Sequence, residues 1–326
     1  MDVSTNVSVI FLLGGIPELG ANQTILAFPL CLLYIIALFG NCSILVIIKR
    51  EQSLNQPMYI LLAMLALTDF GVSLATLPTV LGIFCFNYNQ IPLDACLTQM
   101  YFLHALAAME SGVLVAMAID RLIAIWDPLR YASILTHSII GKIGLLILFR
   151  SLCVVFPVPF LTKRFPFCKS HVLSHSYCLH QDIIRLACAD TTVNSLYGLV
   201  AVLMTKGVDS MFIIISYIMI LKAVLSIKAN EARLKAFNTC VCHLCAVLLF
   251  YIPLIGLSVV HRFGKNASHL LPILMADIYL LVPPVINPVI YSVKTKPIRQ
   301  KIFKAFRFTI MGKRTLSNRV TVIKIS

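Results

Sequence analysis

The chain has 326 residues, of which 59% are apolar or aromatic and only 12% are charged. Soluble domains average about 45–50% apolar and about 25% charged residues, so this composition argues against a soluble enzyme of two ordinary domains. The formal net charge is +14, but a nucleic-acid-binding protein needs its basic residues on one face of a soluble fold, and this chain does not place them that way.

The apolar residues fall in seven runs, and each run is long enough to cross a bilayer as a helix, which takes about 20 residues. The runs cover 25–48, 58–83, 97–119, 139–161, 196–222, 236–260 and 271–293. The sequence therefore predicts an all-α membrane protein in which seven transmembrane helices form one domain over residues 25–293.

The distribution of basic residues predicts which side of the membrane each loop faces. Residues 1–24 contain no Lys or Arg, which indicates an extracellular amino terminus. With the sides alternating from there, 19 Lys and Arg fall on the cytoplasmic side and six on the outer side, in agreement with the positive-inside rule. Sequons that begin at Asn6 and Asn22 lie on the predicted outer side, so we expect glycans at both.

The segment after the seventh run, residues 294–326, is basic and is predicted to be cytoplasmic. Within it, apolar residues recur at helical spacing between Lys and Arg, namely Ile298, Ile302, Phe303 and Phe306. This pattern is typical of a short amphipathic helix that lies on the inner membrane face. The alternative is a solvated basic tail that contacts anionic lipids.

Four of the eleven cysteines lie on the predicted outer side, where oxidising conditions favour two disulfides. They are Cys96, Cys168, Cys178 and Cys188. Four cysteines allow three pairings, and their spacing does not choose between them. The loop also reads Cys168-x2-His171-x3-His175-x2-Cys178, which is similar to the ligand spacing of a zinc site, so a metal site is the alternative.

Polar residues inside the predicted spans are costly in lipid and are therefore functional candidates. Asn41, Asp69 and Glu110 lie in the middle of the first, second and third runs. One interpretation is a buried cation or proton site formed by Asp69 and Glu110. The alternative is a structural hydrogen-bond network.

Three further charged residues lie in the fourth and fifth runs. Arg150 lies in the fourth, while Lys206 and Asp209 are three residues apart in the fifth, so they share a helix face and could pair. Such intramembrane charges are also compatible with a transporter or a channel. However, seven is an odd number of spans and no repeat of two halves is detectable, which disfavours a transporter. An intramembrane enzyme is disfavoured because nothing resembles a protease motif.

Two features mark possible switches. The seventh run ends with Asn287-Pro288-Val289-Ile290-Tyr291, in which the proline removes a backbone hydrogen bond and kinks the helix. The kink could act as a hinge with two packings, or it could be static.

At the inner end of the third run, Asp120 and Arg121 are expected to form an ion pair that caps a closed state or contacts a cytoplasmic partner. The alternative for Arg121 is interfacial snorkelling.

Five motifs follow one another along nearly the whole chain, from about residue 20 to 305. They are Pro57-Met58-Tyr59 with Leu62, Leu65 and Asp69; Met117-Ala118-Ile119-Asp120-Arg121 followed by Pro128-Leu129-Arg130-Tyr131; Ser216-Tyr217; Lys235-Ala236-Phe237-Asn238-Thr239-Cys240-Val241-Cys242-His243; and Pro284-x2-Asn287-Pro288-x2-Tyr291. In this order they resemble the motifs of odorant receptors of the rhodopsin-like G-protein-coupled class. The segments at 14–18 and 261–264 resemble the class I, fish-like branch.

The resemblance implies a plasma-membrane receptor of rhodopsin-like topology that is not an enzyme and needs no cofactor or metal. Its expected partners are a small odorant, the lipid bilayer and a stimulatory heterotrimeric G protein that raises cAMP. The resemblance also implies the disulfides Cys96–Cys178 and Cys168–Cys188. The expected coupling and switch residues are Asp120, Arg121, Tyr217, Asn287, Pro288 and Tyr291. A non-olfactory rhodopsin-like receptor is the nearest alternative.

The resemblance further implies a ligand site formed by helix 3 and the outer halves of helices 4 to 7. Arg262 lies four residues beyond Ser258, so both point down one helix face, and a guanidinium grips a carboxylate with two hydrogen bonds. The resemblance to the class I branch implies a short acid or another polar odorant, and Lys206 is the competing anion partner. The candidate ligand-binding residues are His104, His180, Gln181, Val202, Lys206, Tyr251, Ile255, Ser258 and Arg262. The alternatives are a surface charge for Arg262 and a satisfied interior histidine for His104.

Overall fold

The computed structural model describes residues 9–14, 25–168, 171–263, 270–294 and 298–301. Its description of side chains leaves out residues 232, 235, 239, 258–263, 270 and 294. Both predicted glycan sites, Asn6 and Asn22, lie outside the described residues. So do Ile302, Phe303 and Phe306 of the predicted amphipathic helix. Only its start at 298–301 is described, where Ile298 is fully buried.

Seven helical segments in the described part are long and apolar enough to cross a membrane, with mean hydropathies of 1.8 to 2.5, which confirms the predicted number. They are Ala27–Arg50 (span 1), Pro57–Phe86 (span 2), Leu93–Trp126 (span 3), His137–Lys163 (span 4), Thr192–Ser226 (span 5), Asn230–Phe263 (span 6) and Leu270–Lys294 (span 7). Each overlaps one predicted apolar run. The helices extend beyond the runs because their polar ends remain helical outside the apolar part.

Two spans contain an irregular turn. Span 4 consists of the helices His137–Val155 and Pro157–Lys163, because the proline lacks the backbone N–H that would continue the hydrogen-bond ladder. Span 5 consists of the helices Thr192–Val202 and Val208–Ser226, joined by a π-helical turn at Leu203–Gly207. Such a turn inserts an extra residue and rotates the side chains that follow it.

A three-stranded sheet lies at one end of the bundle, which we call the sheet end. The strands are β1 (Ile10–Leu13), β2 (Gln90–Pro92) and β3 (Val172–Leu173), in the order β2-β1-β3. β1 runs antiparallel to β2 and parallel to β3. The all-α prediction did not include these strands, which are too short to give a hydrophobic period.

The opposite end, which we call the tail end, contains the turns between spans 1 and 2 and between spans 3 and 4, and residues 298–301. A 3-10 turn at Gln52–Leu54 and a short helix at Tyr131–Ile134 lie there. At the sheet end, a second short helix, His180–Arg185, lies between β3 and span 5.

Span 3 is the central helix of the bundle. Of its most apolar stretch, 67% is buried inside the protein, against 17% for span 4. Large apolar side chains such as Phe28, Phe39 and Leu145 are exposed on the peripheral helices, as expected for surfaces that face lipid. The polar residues in the middle of span 3, Glu110 and Ser111, therefore lie in the protein interior, where each needs a partner.

Candidate functional site

Two disulfides tie the sheet end together. Cys96, in the first turn of span 3, is bonded to Cys178, and Cys168 is bonded to Cys188. This is the pairing that the sequence resemblance implied. Two cysteines of the zinc-like spacing, Cys168 and Cys178, therefore belong to different disulfides, and neither is a free thiolate ligand. The alternative of a metal site was wrong.

His175, another member of that spacing, is engaged by a carboxylate. Its Nδ1 lies 2.9 Å from Asp182 Oδ2, and the backbone N–H of Ser174 donates to the same oxygen at 2.7 Å. Burial alone would raise the pKa of Asp182, but the hydrogen bonds from His175 and Ser174 outweigh it, and the pKa lies below its ordinary value. The ionised, buried carboxylate of Asp182 thus holds the loop in place through its hydrogen bonds to Ser174 and His175.

The strand β1 is packed into this end of the bundle. Phe11 is fully buried and meets Phe167 edge to face, with ring centroids 5.2 Å apart. Gln99 of span 3 accepts a hydrogen bond from the backbone N–H of Cys178 at 2.9 Å and donates to the Ala75 carbonyl at 2.8 Å. The sheet, the disulfide and span 3 therefore form one cover over the interior of the bundle.

Two of the predicted ligand residues follow Cys178 in the loop. His180 is buried, and its Nε2 lies 2.7 Å from Asn194 Oδ1 of span 5. Because that amide oxygen only accepts, His180 Nε2 carries a proton. Burial lowers the pKa of His180, although the Asn194 bond opposes the shift. Gln181 is exposed. His180 thus joins the loop to span 5, while Gln181 lies at the surface.

Two residues that were predicted to line the pocket wall have exposed side chains. Val202 is 37% exposed and Ile255 is 58% exposed. Ile255 continues a stripe of exposed residues on span 6, after Leu248 and Ile252, so helical phase directs it away from the interior. The side chains of Ser258 and Arg262 lie outside the described part of span 6.

The centre of the bundle contains a chain of polar contacts. Arg150 of span 4 donates to both oxygens of Asp209 of span 5, at 2.6 and 2.7 Å. Ser111 of span 3 donates to Asp209 Oδ2 at 2.8 Å, and the Tyr251 hydroxyl of span 6 lies 2.8 Å from Ser111 Oγ. The single Ser111 proton goes to the carboxylate, so Tyr251 donates to Ser111. Four spans are thereby linked in a row.

This chain corrects one sequence-based expectation. Asp209 does not pair with Lys206, because the guanidinium of Arg150 occupies both carboxylate oxygens in a geometry that a lysine cannot match. Gly112 allows the approach of span 4. A Cβ at this position would lie 2.9 Å from Ile147 Cγ2 and 3.0 Å from Arg150 Nη2. Lys206 is instead buried, with Nζ 5.3 Å from the ring centre of Tyr279.

Asn41 and Asp69 attach spans 1 and 2 to span 7. Asn41 Nδ2 donates to the Pro284 carbonyl at 2.9 Å, and Asn287 Nδ2 donates to Asp69 Oδ2 at 3.0 Å. These contacts fit the interpretation as a structural network. Glu110 is also buried, but its Oε1 has no hydrogen-bond partner among the described residues. Glu110 therefore lies outside this network.

The expected ion pair at the tail end of span 3 is present, but for each partner it is longer than another contact that the partner makes. Arg121 Nη1 lies 3.8 Å from Asp120 Oδ2 and 2.8 Å from the sulfur of Met58. Asp120 accepts a shorter bond, 2.7 Å, from the hydroxyl of Tyr131. Burial and the Asp120 carboxylate raise the pKa of Tyr131. The loop after span 3 is thus fastened to Asp120, and Arg121 is left nine-tenths buried.

The predicted switch residues of spans 5 and 7 are also in the interior. Tyr291 is buried, and its hydroxyl has no hydrogen-bond partner in the described part of the chain. Pro288 is packed against span 1, where a Cβ on Gly40 would lie 3.0 Å from its ring. Tyr217 is half-buried and lies 2.8 Å from His243 Nδ1.

His243 is a functional candidate that the prediction of site residues missed. It is fully buried, and its Nε2 lies 3.1 Å from the Leu114 carbonyl. A carbonyl only accepts, so Nε2 carries a proton, and in the neutral ring Nδ1 accepts from Tyr217. His243 thus links spans 3, 5 and 6. The signal was present in the sequence, because His243 closes the Lys235–His243 motif.

Comparison with known proteins gives one consistent result. The family model described as "Olfactory receptor" matches residues 30–308. The human protein "Olfactory receptor 51G2" is 55% identical over 303 residues, which is 93% of this chain and 96% of that protein. Human "Olfactory receptor 51I1" is 53% identical over 90% of this chain and 94% of its own length. Among solved structures, squid rhodopsin has a similar fold, with a TM-score of 0.71 at 16% identity, over 89% of this chain and 87% of that chain.

Proposed function

The chain belongs to the olfactory receptor family, in its class I branch, and from this premise we propose that it binds a short carboxylic acid or another polar odorant and raises cAMP through a stimulatory G protein. As a member of this family it is a seven-span receptor with an odorant ligand and a G-protein partner, and it is not an enzyme. The ligand class, the type of G protein and the orientation are the proposed parts.

We place the sheet end outside the cell and the tail end in the cytoplasm, in accordance with the positive-inside rule. Both disulfides then lie in the oxidising compartment, which is where disulfides persist. Arg121 and Tyr131 lie at the cytoplasmic end, where Arg121 is buried, so a G protein contacts Arg121 once this end of the bundle opens. The ligand binds inside the bundle beneath the sheet end, and two cations are candidate partners for its acidic group, Arg262 and Lys206.

The observation that carries this proposal is the row of hydrogen bonds from Arg150 through Asp209 and Ser111 to Tyr251. It crosses spans 3 to 6 at the depth between the ligand end and the G-protein end. A polar row in lipid-buried helices has a defined geometry, because each broken bond leaves an unsatisfied group. Ligand binding on one side of it can therefore favour one arrangement of span 6 and, through the Asn287-Pro288 hinge, of span 7.

We also retain Asp69 and Glu110 as a candidate buried cation or proton site. The supporting observation is that one oxygen of each carboxyl group, Asp69 Oδ1 and Glu110 Oε1, is buried without a hydrogen-bond partner in the described structure. A cation between the two groups would satisfy both oxygens.

The experiment that tests the proposed function is a cAMP screen in cells that express the receptor, against short acids, alcohols and aldehydes of matched length. We expect at least one acid to raise cAMP above the level in mock-transfected cells. A panel in which no compound raises cAMP, although the receptor is at the cell surface, would contradict the proposal.

A further inference from the structure

Lys206 is a buried cation without an anionic partner. Its side chain is only 7% exposed. No carboxylate oxygen and no hydrogen-bond acceptor among the described side chains is within bonding distance of its ammonium group. The nearest polarised contact is the face of the Tyr279 ring, 5.3 Å from Nζ. The nearest acid along the helix, Asp209, is fully used by Arg150 and Ser111.

Other polar atoms around Lys206 are also unsatisfied. His104 Nε2, Glu110 Oε1 and the Tyr279 hydroxyl are all buried, and none has a hydrogen-bond partner among the described residues. The charge of Lys206 acts electrostatically on His104 and on Glu110. We call these four residues, which come from spans 3, 5 and 7, the Lys206 site.

Buried polar groups in native proteins are paired, and three groups of this site can donate a hydrogen bond: the Lys206 ammonium, a ring N–H of His104 and the Tyr279 hydroxyl, so the site indicates a missing acceptor. We propose that this partner is the carboxylate of the odorant, which is bound by the ammonium of Lys206 and by His104. This inference rests on the proposed function and names the residue that selects the ligand class. A carboxylate fits because it supplies the negative charge and the acceptor lone pairs that Lys206 and a protonated ring nitrogen of His104 require.

The same geometry explains how ligand binding is sensed. In the absence of a ligand, Glu110 is the acid that acts on Lys206 from a distance greater than an ion pair. A ligand carboxylate replaces this weak attraction with a direct contact, so Lys206 is drawn toward the ligand and away from Glu110. Ser111, the next residue on span 3, belongs to the row that reaches Tyr251. The ligand is thereby connected to span 6 through span 3.

The test uses the purified full-length receptor in lipid nanodiscs, and it measures the midpoint of thermal unfolding, which needs no G protein. The probes are straight-chain carboxylates from propanoate to octanoate, each compared with the primary alcohol of equal length. Sodium chloride is titrated separately, because an inorganic anion could also occupy the site. The variants are Lys206→Met, Lys206→Arg, Glu110→Gln and, as a control for lost charge, Lys163→Met at the exposed end of span 4.

We expect at least one carboxylate to raise the midpoint of the wild type and of Lys163→Met, while its matched alcohol does not. Lys206→Met should raise the carboxylate concentration needed for a half-maximal midpoint shift about 10-fold or more, because a charge-assisted contact is lost. Lys206→Arg should keep part of it, and Glu110→Gln should strengthen it by removing the competing acid. Without ligand, Lys206→Met should fold and unfold at a higher temperature than the wild type, because an unpaired buried charge is gone.

The proposal is overturned if no carboxylate exceeds its alcohol in the wild type, or if Lys206→Met responds to the acid as the wild type does. It is also overturned if chloride alone gives the full Lys206-dependent shift, which would make Lys206 an inorganic anion site. A failure of the proposed function has a different signature: carboxylates bind in a Lys206-dependent manner, but no compound raises cAMP.

Discussion

Arg150 and Asp209 form a two-pronged ion pair between spans 4 and 5, with hydrogen bonds of 2.6 and 2.7 Å. The pair lies in the hydrophobic part of the bundle, where isolated charges are strongly disfavoured. Ser111 adds a third donor to the carboxylate. Because both charges are compensated here, the neighbouring Lys206 is the buried charge of span 5 that remains for a ligand, whereas Lys222 of the same span is exposed.

The first prediction concerns this pair. Asp209→Ala should leave the Arg150 guanidinium unpaired in the membrane and destabilise the receptor by about 3–5 kcal/mol. The double variant Arg150→Met with Asp209→Leu should recover much of that loss, because it removes both charges together. Surface expression and the thermal unfolding midpoint measure this. If the single variant is as stable as the wild type, the ion pair does not hold spans 4 and 5 together.

The second prediction concerns the disulfide that joins span 3 to the outer loop. Cys96→Ser and Cys178→Ser should each lose surface expression, because removal of a native disulfide costs about 2–5 kcal/mol. Cys42→Ser, at an exposed free cysteine of span 1, is the matched control and should be expressed normally. Normal surface levels of both disulfide variants would show that the bond is dispensable.

The third prediction concerns the tail end of the bundle, which we propose to be cytoplasmic. Arg121→Ala should keep ligand binding, measured as the thermal shift with an active acid, and should lose ligand-dependent cAMP. Arg130→Ala is the control, because this arginine is in the adjacent loop but its side chain is 79% exposed. Full signalling by Arg121→Ala would exclude this residue from the G-protein contact.

The fourth prediction is a pH dependence. Burial holds the pKa of His180 below its ordinary value of 6.5, so the unfolded chain binds a proton at a higher pH than the folded receptor does. Stability is therefore unaffected by His180 above about pH 6.5 and falls as the pH drops below it. His180→Gln keeps a donor for Asn194, so the stability of this variant should fall less than that of the wild type between pH 7.5 and 5.5. Equal slopes for variant and wild type would contradict the assignment.

The fifth prediction is the orientation. An epitope tag at residue 1 should be accessible to antibody in intact cells, and Asn6→Gln should abolish a glycan that is removable by a glycosidase. The reason is that residues 1–24 lack basic residues, whereas the segments on the opposite side of the membrane are rich in them, and the positive-inside rule places the basic side in the cytoplasm. A tag that is stained only after permeabilisation would reverse the topology.

The overall architecture could be predicted from the sequence because seven long apolar runs have few alternative folds in a membrane. The partner of Asp209 could not be predicted from the sequence. Lys206 is three residues away on the same helix, but the true partner, Arg150, is 59 residues distant and depends on how spans 4 and 5 are rotated. The π-helical turn at Leu203–Gly207 changes that rotation, and no residue pattern predicted this turn. The same uncertainty in helical phase applies to Val202 and Ile255, which were predicted to line the pocket and have exposed side chains.

We propose that this odorant receptor raises cAMP through a stimulatory G protein. The most direct measurement is the cAMP dose response to an active short acid in two matched cell lines, one with and one without the stimulatory G-protein α subunit. We predict a response in the first line that is absent from the second and returns when the subunit is restored. An equal response in both lines, or none in either while the receptor is at the surface, would contradict the claim.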